Sequence, residues 1–115
     1  MDANPQLARW RHLIESELQA CATPLSWAEL VQMDVRVYER NASVLVTRDS
    51  VIGGHLARSM LVAAGTLAEV VSMVTEMEAD AAAYGIHKIL FVGRRGWLQV
   101  LSAYREIAVI GERTV

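Results

Sequence analysis

Ser59-Met60-Leu61-Val62-Ala63-Ala64, Gly65-Thr66-Leu67-Ala68-Glu69 and Lys88-Ile89-Leu90-Phe91-Val92 decide the fold of this chain. The first run is short and apolar, as a strand would be. Gly65 interrupts it, and Thr66 with Glu69 three residues on has the form of a capping box that opens a helix. Leu67, Val70, Val71, Val74, Met77, Ala81 and Tyr84 then recur as a broad apolar stripe, with Glu69, Glu76 and Asp80 on the remaining surface, until Gly85 stops the helix. Ile89-Leu90-Phe91-Val92 is apolar without alternation, the pattern of an inner strand. Strand, helix, strand in this order predicts a right-handed βαβ crossover with the two strands as parallel neighbours.

Working outward toward the N-terminus, Ser43-Val44-Leu45-Val46-Thr47 predicts a further strand. A turn-rich segment containing Asp49, Ser50, Gly53 and Gly54 joins it to the run His55 to Ala64 as an antiparallel pair. Two helices precede the sheet. Asn4-Pro5 is a helix start, and Leu7, Trp10, Ile14, Leu18 and Cys21 share one face of a helix reaching about Ala22, ended by Pro24. Ser26-Trp27-Ala28-Glu29 is a second capping box and predicts a shorter helix through about Val37. Toward the C-terminus, a short helix from about Trp97 to Ala103 and a last strand from about Arg105 to Gly111 complete the reading. The expected class is α+β: a mixed sheet of about four strands with a βαβ crossover, preceded by two N-terminal helices. Residues 1–115 form one domain, with 1–24 as a candidate N-terminal helical arm.

Composition narrows the function by exclusion. Of 115 residues, 53% are hydrophobic and 21% charged, which is a packed globular balance. A formal charge of −2 gives no broad attraction for phosphate backbones and argues against nucleic acid as the main partner. Cys21 is the only cysteine, so no intrachain disulfide forms and a reducing cytoplasm is the expected place of synthesis. Met1-Asp2-Ala3-Asn4-Pro5 has no export signal, and the apolar runs break well before the ~20 residues that a membrane crossing needs.

Few residues announce chemistry. His12, His55 and His87 lie in three different elements without a cysteine partner, which does not match zinc-ligand spacing. Glu76, Glu78 and Asp80 alternate around a helix and read as a solvated face. Cys21 sits on an apolar stripe, and Ser50, Ser59 and Ser102 lack a glycine elbow, so no nucleophile is expected. Gly65-Thr66 opens a helix whose free amides favour an anion, yet a threonine that caps its own helix would occupy them. The strongest site candidate is the turn Gly93-Arg94-Arg95-Gly96-Trp97. It follows an inner strand, where α/β sheets gather ligands, and Arg94, Arg95 and Trp97 are residue types favoured as protein-interface anchors.

From His55 to Val115 the succession of a helix ending Ala82-Ala83-Tyr84-Gly85, the strand Lys88 to Val92, Gly93-Arg94-Arg95-Gly96-Trp97, Ala103-Tyr104-Arg105-Glu106 and a last strand resembles the small GNAT-like proteins of tailed phages and prophages. These are similar to a shortened core of the Gcn5-related acetyltransferase fold. In that wider fold a Gln/Arg-x-x-Gly-x-Gly/Ala loop binds acetyl-CoA. The corresponding Ala63-Ala64-Gly65-Thr66-Leu67-Ala68 lacks the leading basic residue and the second glycine of that pattern. The resemblance therefore implies a non-catalytic phage protein without a cofactor. It would act by contact with other phage structural proteins, as a homo-oligomeric virion component or assembly factor, and be found in the virion and in the host cytoplasm during assembly. Trp10 and Ile14, on the stripe of the first helix, join Arg94, Arg95 and Trp97 as interface candidates. Two alternatives remain: a small acetyl-CoA-dependent N-acetyltransferase using Gly65, Thr66 and Tyr104, and a phage-encoded regulator of a host protein.

Overall fold

A computed structural model describes residues 4–20, 25–92, 105–107 and 110–114, the last two segments and Val92 by their backbone alone. The architecture is α+β: a mixed sheet with one helix on one face and the N-terminal helices on the other. The elements are α1 (Pro5–Arg9), α2 (Arg11–Ala20), α3 (Trp27–Leu30), β1 (Arg36–Glu39), β2 (Val44–Ile52), β3 (His55–Ala64), α4 (Leu67–Ala83), β4 (Lys88–Val92), β5 (Arg105–Ile107) and β6 (Ile110–Thr114). Six strands lie in the order β1-β2-β3-β4-β6-β5. Among the described strands only β3 and β4 run parallel, joined by α4 as the sequence predicts, and the other neighbours are antiparallel.

The four expected strands are present and two more extend the sheet. The second helix was expected to reach Val37, but it ends at Leu30 and Arg36–Glu39 forms β1. Its start is as read, with Glu29 N donating to Ser26 Oγ and Ser26 N to Glu29 Oε1, each at 3.2 Å. The β-branched and aromatic residues Val37 and Tyr38 are drawn instead into register with Val46 and Leu45 of β2. The last expected strand turns back on itself as the pair β5–β6, and β6 lies between β4 and β5. The first helix is interrupted at Trp10, whose amide bonds Leu7 O at 3.1 Å and whose indole Nε1 donates to Glu39 Oε1 of β1 at 2.9 Å. Cys21, Pro24 and the helix expected over 97–103 lie outside the described residues.

Each face of the sheet carries its own core. Against α4 pack Tyr38, Leu45, Met60, Ile89 and Phe91, meeting Val70, Met73, Val74, Met77 and Ala81. Against α1–α3 pack Val44, Val46, Val62 and Ala64, meeting Leu7, Ile14, Leu18 and Leu30. The side-chain alternation of β3 changes face along its length because the register with β2 slips: Val46 faces Val62, while the next residue, Thr47, faces Met60. Leu61 is thus an extra residue, a β-bulge, and it puts Arg58 and Met60 on the α4 side and Val62 and Ala64 on the opposite side. Pairing with β4 covers only Ala57 to Met60, so Leu61–Ala64 continues beyond the parallel ladder.

At its C-terminus α4 closes with Gly85 at φ +76°, Gly85 N bonding Ala82 O at 3.0 Å and Ile86 N bonding Ala81 O at 2.9 Å. Buried Ile86 and Ala81 meet across this close, the apolar contact that accompanies such a stop. Over its described part the 1–24 segment packs on the sheet, with Leu7 and Ile14 both 0% exposed.

Candidate functional site

The β2–β3 hairpin organises the candidate site. Its turn is the pair Gly53-Gly54 at φ +58° and +81°, a two-residue connection that twists with its strands and needs positive φ at both positions. The strands continue through Asp49 and Ser50, where a looser turn was expected, to Ile52 paired with His55. Toward its base, Asp49 stands directly opposite Arg58.

Arg58 is fully buried, and a buried guanidinium is tolerable only when its donors are met. Nε and Nη2 donate to the two oxygens of Asp49 at 2.7 and 3.0 Å. Nη1 donates to the Tyr38 hydroxyl at 3.1 Å and lies 3.5 Å from Asp80 Oδ2. Tyr38 in turn donates to Asp80 Oδ2 at 2.7 Å, and Arg36 Nη1 approaches the same oxygen at 3.5 Å. The Arg36 guanidinium also covers the Tyr84 ring at 4.9 Å. The constellation ties β1, β2, β3 and α4 together just below the hairpin tip.

Its titration behaviour is that of a fixed structure. Burial, then the bond to Asp80, pushes the Tyr38 phenol far above its ordinary value. The Tyr38 hydroxyl and then the charges of Arg36 and Arg58 hold the Asp80 carboxyl below the usual carboxylate range, against the opposing effect of burial. Burial alone would lower the Arg58 pKa, but its bonds and charge attraction to Asp49 raise it above the ordinary value. None of the three is poised to exchange a proton near neutral pH, as a general acid or base must be. Asp80, read as solvated surface, is instead the hub of this cluster.

Beyond the locked base the hairpin tip is apolar and open to solvent. Val51 is 68%, Leu56 50% and Ile52 44% exposed, and Val51 and Leu56 are directly paired across the strands. Beside them a cleft of about 260 Å³ is lined by His55, Leu56, Gly85, His87 and Lys88. Two histidines that the sequence separates by a whole helix therefore border one cleft. Among the described residues no group of three or more His, Cys, Asp or Glu side chains is placed to hold a metal ion.

At the start of α4 the expected cap is corrected. Thr66 makes no side-chain bond to the helix amides; its hydroxyl donates to Glu69 Oε1 at 3.1 Å. The same oxygen accepts from Ala42 N at 3.1 Å and from buried Ser43 Oγ at 2.7 Å, while Ser43 Oγ accepts from Thr66 N at 2.9 Å. The bond from Ser43, followed by those from Ala42, Thr66 and Asn41, lowers the Glu69 pKa against burial. A carboxylate of the chain itself thus stands at the helix terminus where an anion would sit. Gly65, at φ +124°, lies so close that a Cβ there would run into the Ser43 side chain and backbone.

No protein-family model matches this chain, and no significantly similar curated protein or solved structure is found.

Of the five interface candidates read from the sequence, Trp10 and Ile14 lie among the described residues. Arg94, Arg95, Trp97 and Tyr104 lie outside the described residues. Ile14 is 0% exposed, enclosed by the protein's own core, so it has no surface to offer a partner in this fold. Trp10 is half-buried and its Nε1 is engaged by Glu39, which also accepts from Arg9 Nη1 at 3.0 Å. The tip residues Val51, Ile52 and Leu56 were missed. Their signal was present in two apolar residues immediately before a glycine pair and one shortly after it.

Proposed function

We propose that this chain is a non-catalytic, GNAT-like phage protein that acts by protein contact, as a virion component or assembly factor present in several copies. One observation carries the contact reading: three large apolar side chains, Val51, Ile52 and Leu56, project from a hairpin whose base is fixed by the buried Arg58–Asp49–Tyr38–Asp80 network. Val51 and Leu56 pair across the strands on one face of the tip and Ile52 lies on the other, and exposed apolar surface of this kind is where partners bind. A rigid base favours binding further, because little conformational freedom remains to be lost on association. The GNAT-like and phage assignments rest on the sequence resemblance alone.

Mass spectrometry of purified particles tests the role. Recovery in stoichiometric amounts supports a virion component, and recovery only with immature particles supports an assembly factor. Absence from both, with the chain bound to a host protein, favours the regulator reading. Light scattering on size-exclusion fractions tests self-association, and a strict monomer at high concentration contradicts the several-copy part.

Acetyl transfer is kept as a second reading because β3 and β4 stop pairing after Met60 and Phe91, and the carboxyl ends of parallel strands are where open sheets take ligands. Glu69 at the adjoining helix terminus opposes a diphosphate there. Thermal shift with acetyl-CoA discriminates. A ligand at about 100 times its dissociation constant adds roughly 2.7 kcal/mol, whereas the contact reading expects no shift.

A further inference from the structure

We propose that a second copy of this chain pairs with β2 edge to edge, joining two hairpins into one sheet, with each glycine turn seated in a cleft of the other copy. This rests on the contact reading above and names the partner of that surface. β1 covers β2 only from Glu39↔Val44 to Arg36↔Thr47, yet β2 runs on to Ile52. From Arg48 to Ile52 the strand therefore has β3 on one side and no strand on the other among the described residues. Such an edge offers backbone donors and acceptors to another strand.

Where β1 and β2 part, a cleft of about 350 Å³ is lined by Asp34, Val35 and Arg36 and by Arg48 and Asp49. Asp49 is held by Arg58, and Arg36 lies against Asp80 and the Tyr84 ring. Asp34 and Arg48 are exposed and enter no ion pair among the described residues. One acceptor and one donor of opposite charge in the same cleft suit an occupant that presents backbone amides and carbonyls and no net charge. The Gly53-Gly54 turn is such an element. Beyond its chain neighbours, nothing lies within 4 Å of where a Cβ on either glycine would stand, so the turn projects into open space.

Two-fold symmetry then fixes the register. Outward-facing backbone groups fall on alternate residues of a strand, so the axis of an antiparallel self-pairing passes through one residue opposite itself. Centred on Ser50, the pairing would put the second copy's Gly53 opposite Thr47, a place that Arg36 holds. Centred on Val51, it sets Ser50 opposite the second copy's Ile52 and carries the glycine turn to Asp49 and Arg48, at the cleft. Thr47 keeps its partner in β1. Val51 pairs with Leu56 inside each hairpin, so the join lines up Leu56, Val51 and the second copy's Val51 and Leu56 in one apolar row. That row covers side chains that are 68% and 50% exposed in the single chain. Ser50, Val51 and Ile52 carry no charge, so self-pairing sets no like charges opposite each other.

Sedimentation equilibrium of the full chain tests this by exchanging charge at the position that meets itself. The parent is expected to dimerise, and Val51→Asp and Val51→Arg should each raise the dimer dissociation constant at least about tenfold. Mixing the two variants should restore a one-to-one dimer, because opposite charges then face each other across the axis. Arg48→Ala should weaken the parent dimer at least about threefold, and Val71→Ser on α4 should leave it unchanged. Positions 48 and 51 are exposed, so these variants should melt with the parent when all are diluted to monomers. A monomeric parent, a mixture that stays monomeric, or a dimer indifferent to both charges at position 51 overturns the proposal. A dimer indifferent to Arg48→Ala overturns the seating of the turn. If the parent is monomeric while purified particles contain the protein, the self-pairing is lost and contact with another partner stands. A dimer rescued by mixing, with the protein absent from particles, keeps the self-pairing and loses the virion role.

Discussion

The Asp49–Arg58 pair is asymmetric in burial, and that asymmetry predicts which partner costs more to remove. Arg58 is 0% exposed and Asp49 35%. Asp49→Ala strands a buried guanidinium with the Tyr38 hydroxyl at 3.1 Å and Asp80 at 3.5 Å as its remaining partners. Removing one member of a buried pair costs about 3–5 kcal/mol, and the surviving contacts place this case near 3. Arg58→Met has a different outcome. It fills the site with an apolar chain, leaves the Tyr38–Asp80 bond in place, and releases a carboxylate that water already reaches. The expected cost is about 0–2 kcal/mol. With the guanidinium gone, adding Asp49→Ala should change stability by less than about 0.5 kcal/mol, as at an ordinary surface site. Urea unfolding of the four proteins measures this, since about 3 kcal/mol moves the midpoint by at least about 1 M for a domain of this size. Arg58→Met proving as damaging as Asp49→Ala, or the double variant showing the sum of the two, would refute the reasoning.

Three further expectations follow from the same geometry. Gly65→Ala places a Cβ against Ser43 at φ +124° and should destabilise by roughly 2–5 kcal/mol, seen as a melting temperature lower by about 10 °C or more. Because Asp80 is held below the usual carboxylate range, its contribution is complete above the unfolded carboxyl's value and is lost as pH falls through the folded one. The stability gap between the parent and Asp80→Asn should therefore be present at pH 7 and close in acid below about pH 4, measured by urea unfolding; a gap that widens in acid would reverse the sign. Replacing Val51, Ile52 and Leu56 together by serine should leave the melting temperature nearly unchanged while removing self-association in light scattering.

The β3–α4–β4 unit was legible because its signals are local: a run of apolar residues, Gly65, a helical stripe closed by Gly85, and a second run. The capping box at Ser26 was legible for the same reason. β1 was not, because Arg36–Glu39 lies within the span expected for that helix and becomes a strand through pairing with β2. The bulge at Leu61 was invisible as well, since strict alternation along His55–Ala64 would carry Arg58, Met60, Val62 and Ala64 to one face. The polar network joins residues 9 to 44 positions apart, which no short motif can encode. Its single advance sign was an arginine inside an apolar strand with an aspartate nine residues earlier. Thr66 misled because neither bond of the capping box forms: Thr66 N donates to Ser43 Oγ, and Glu69 accepts from Ala42 N, Ser43 Oγ and the threonine hydroxyl.

Contact through the hairpin tip is tested most directly by a photo-crosslinking residue placed at Val51 in producing cells, with the same residue at Val71 on α4 as the comparison. A partner seated at the tip gives one discrete adduct to a particle protein at Val51, absent at Val71. Equal labelling at both positions, or none at Val51 under conditions where particles assemble, contradicts it.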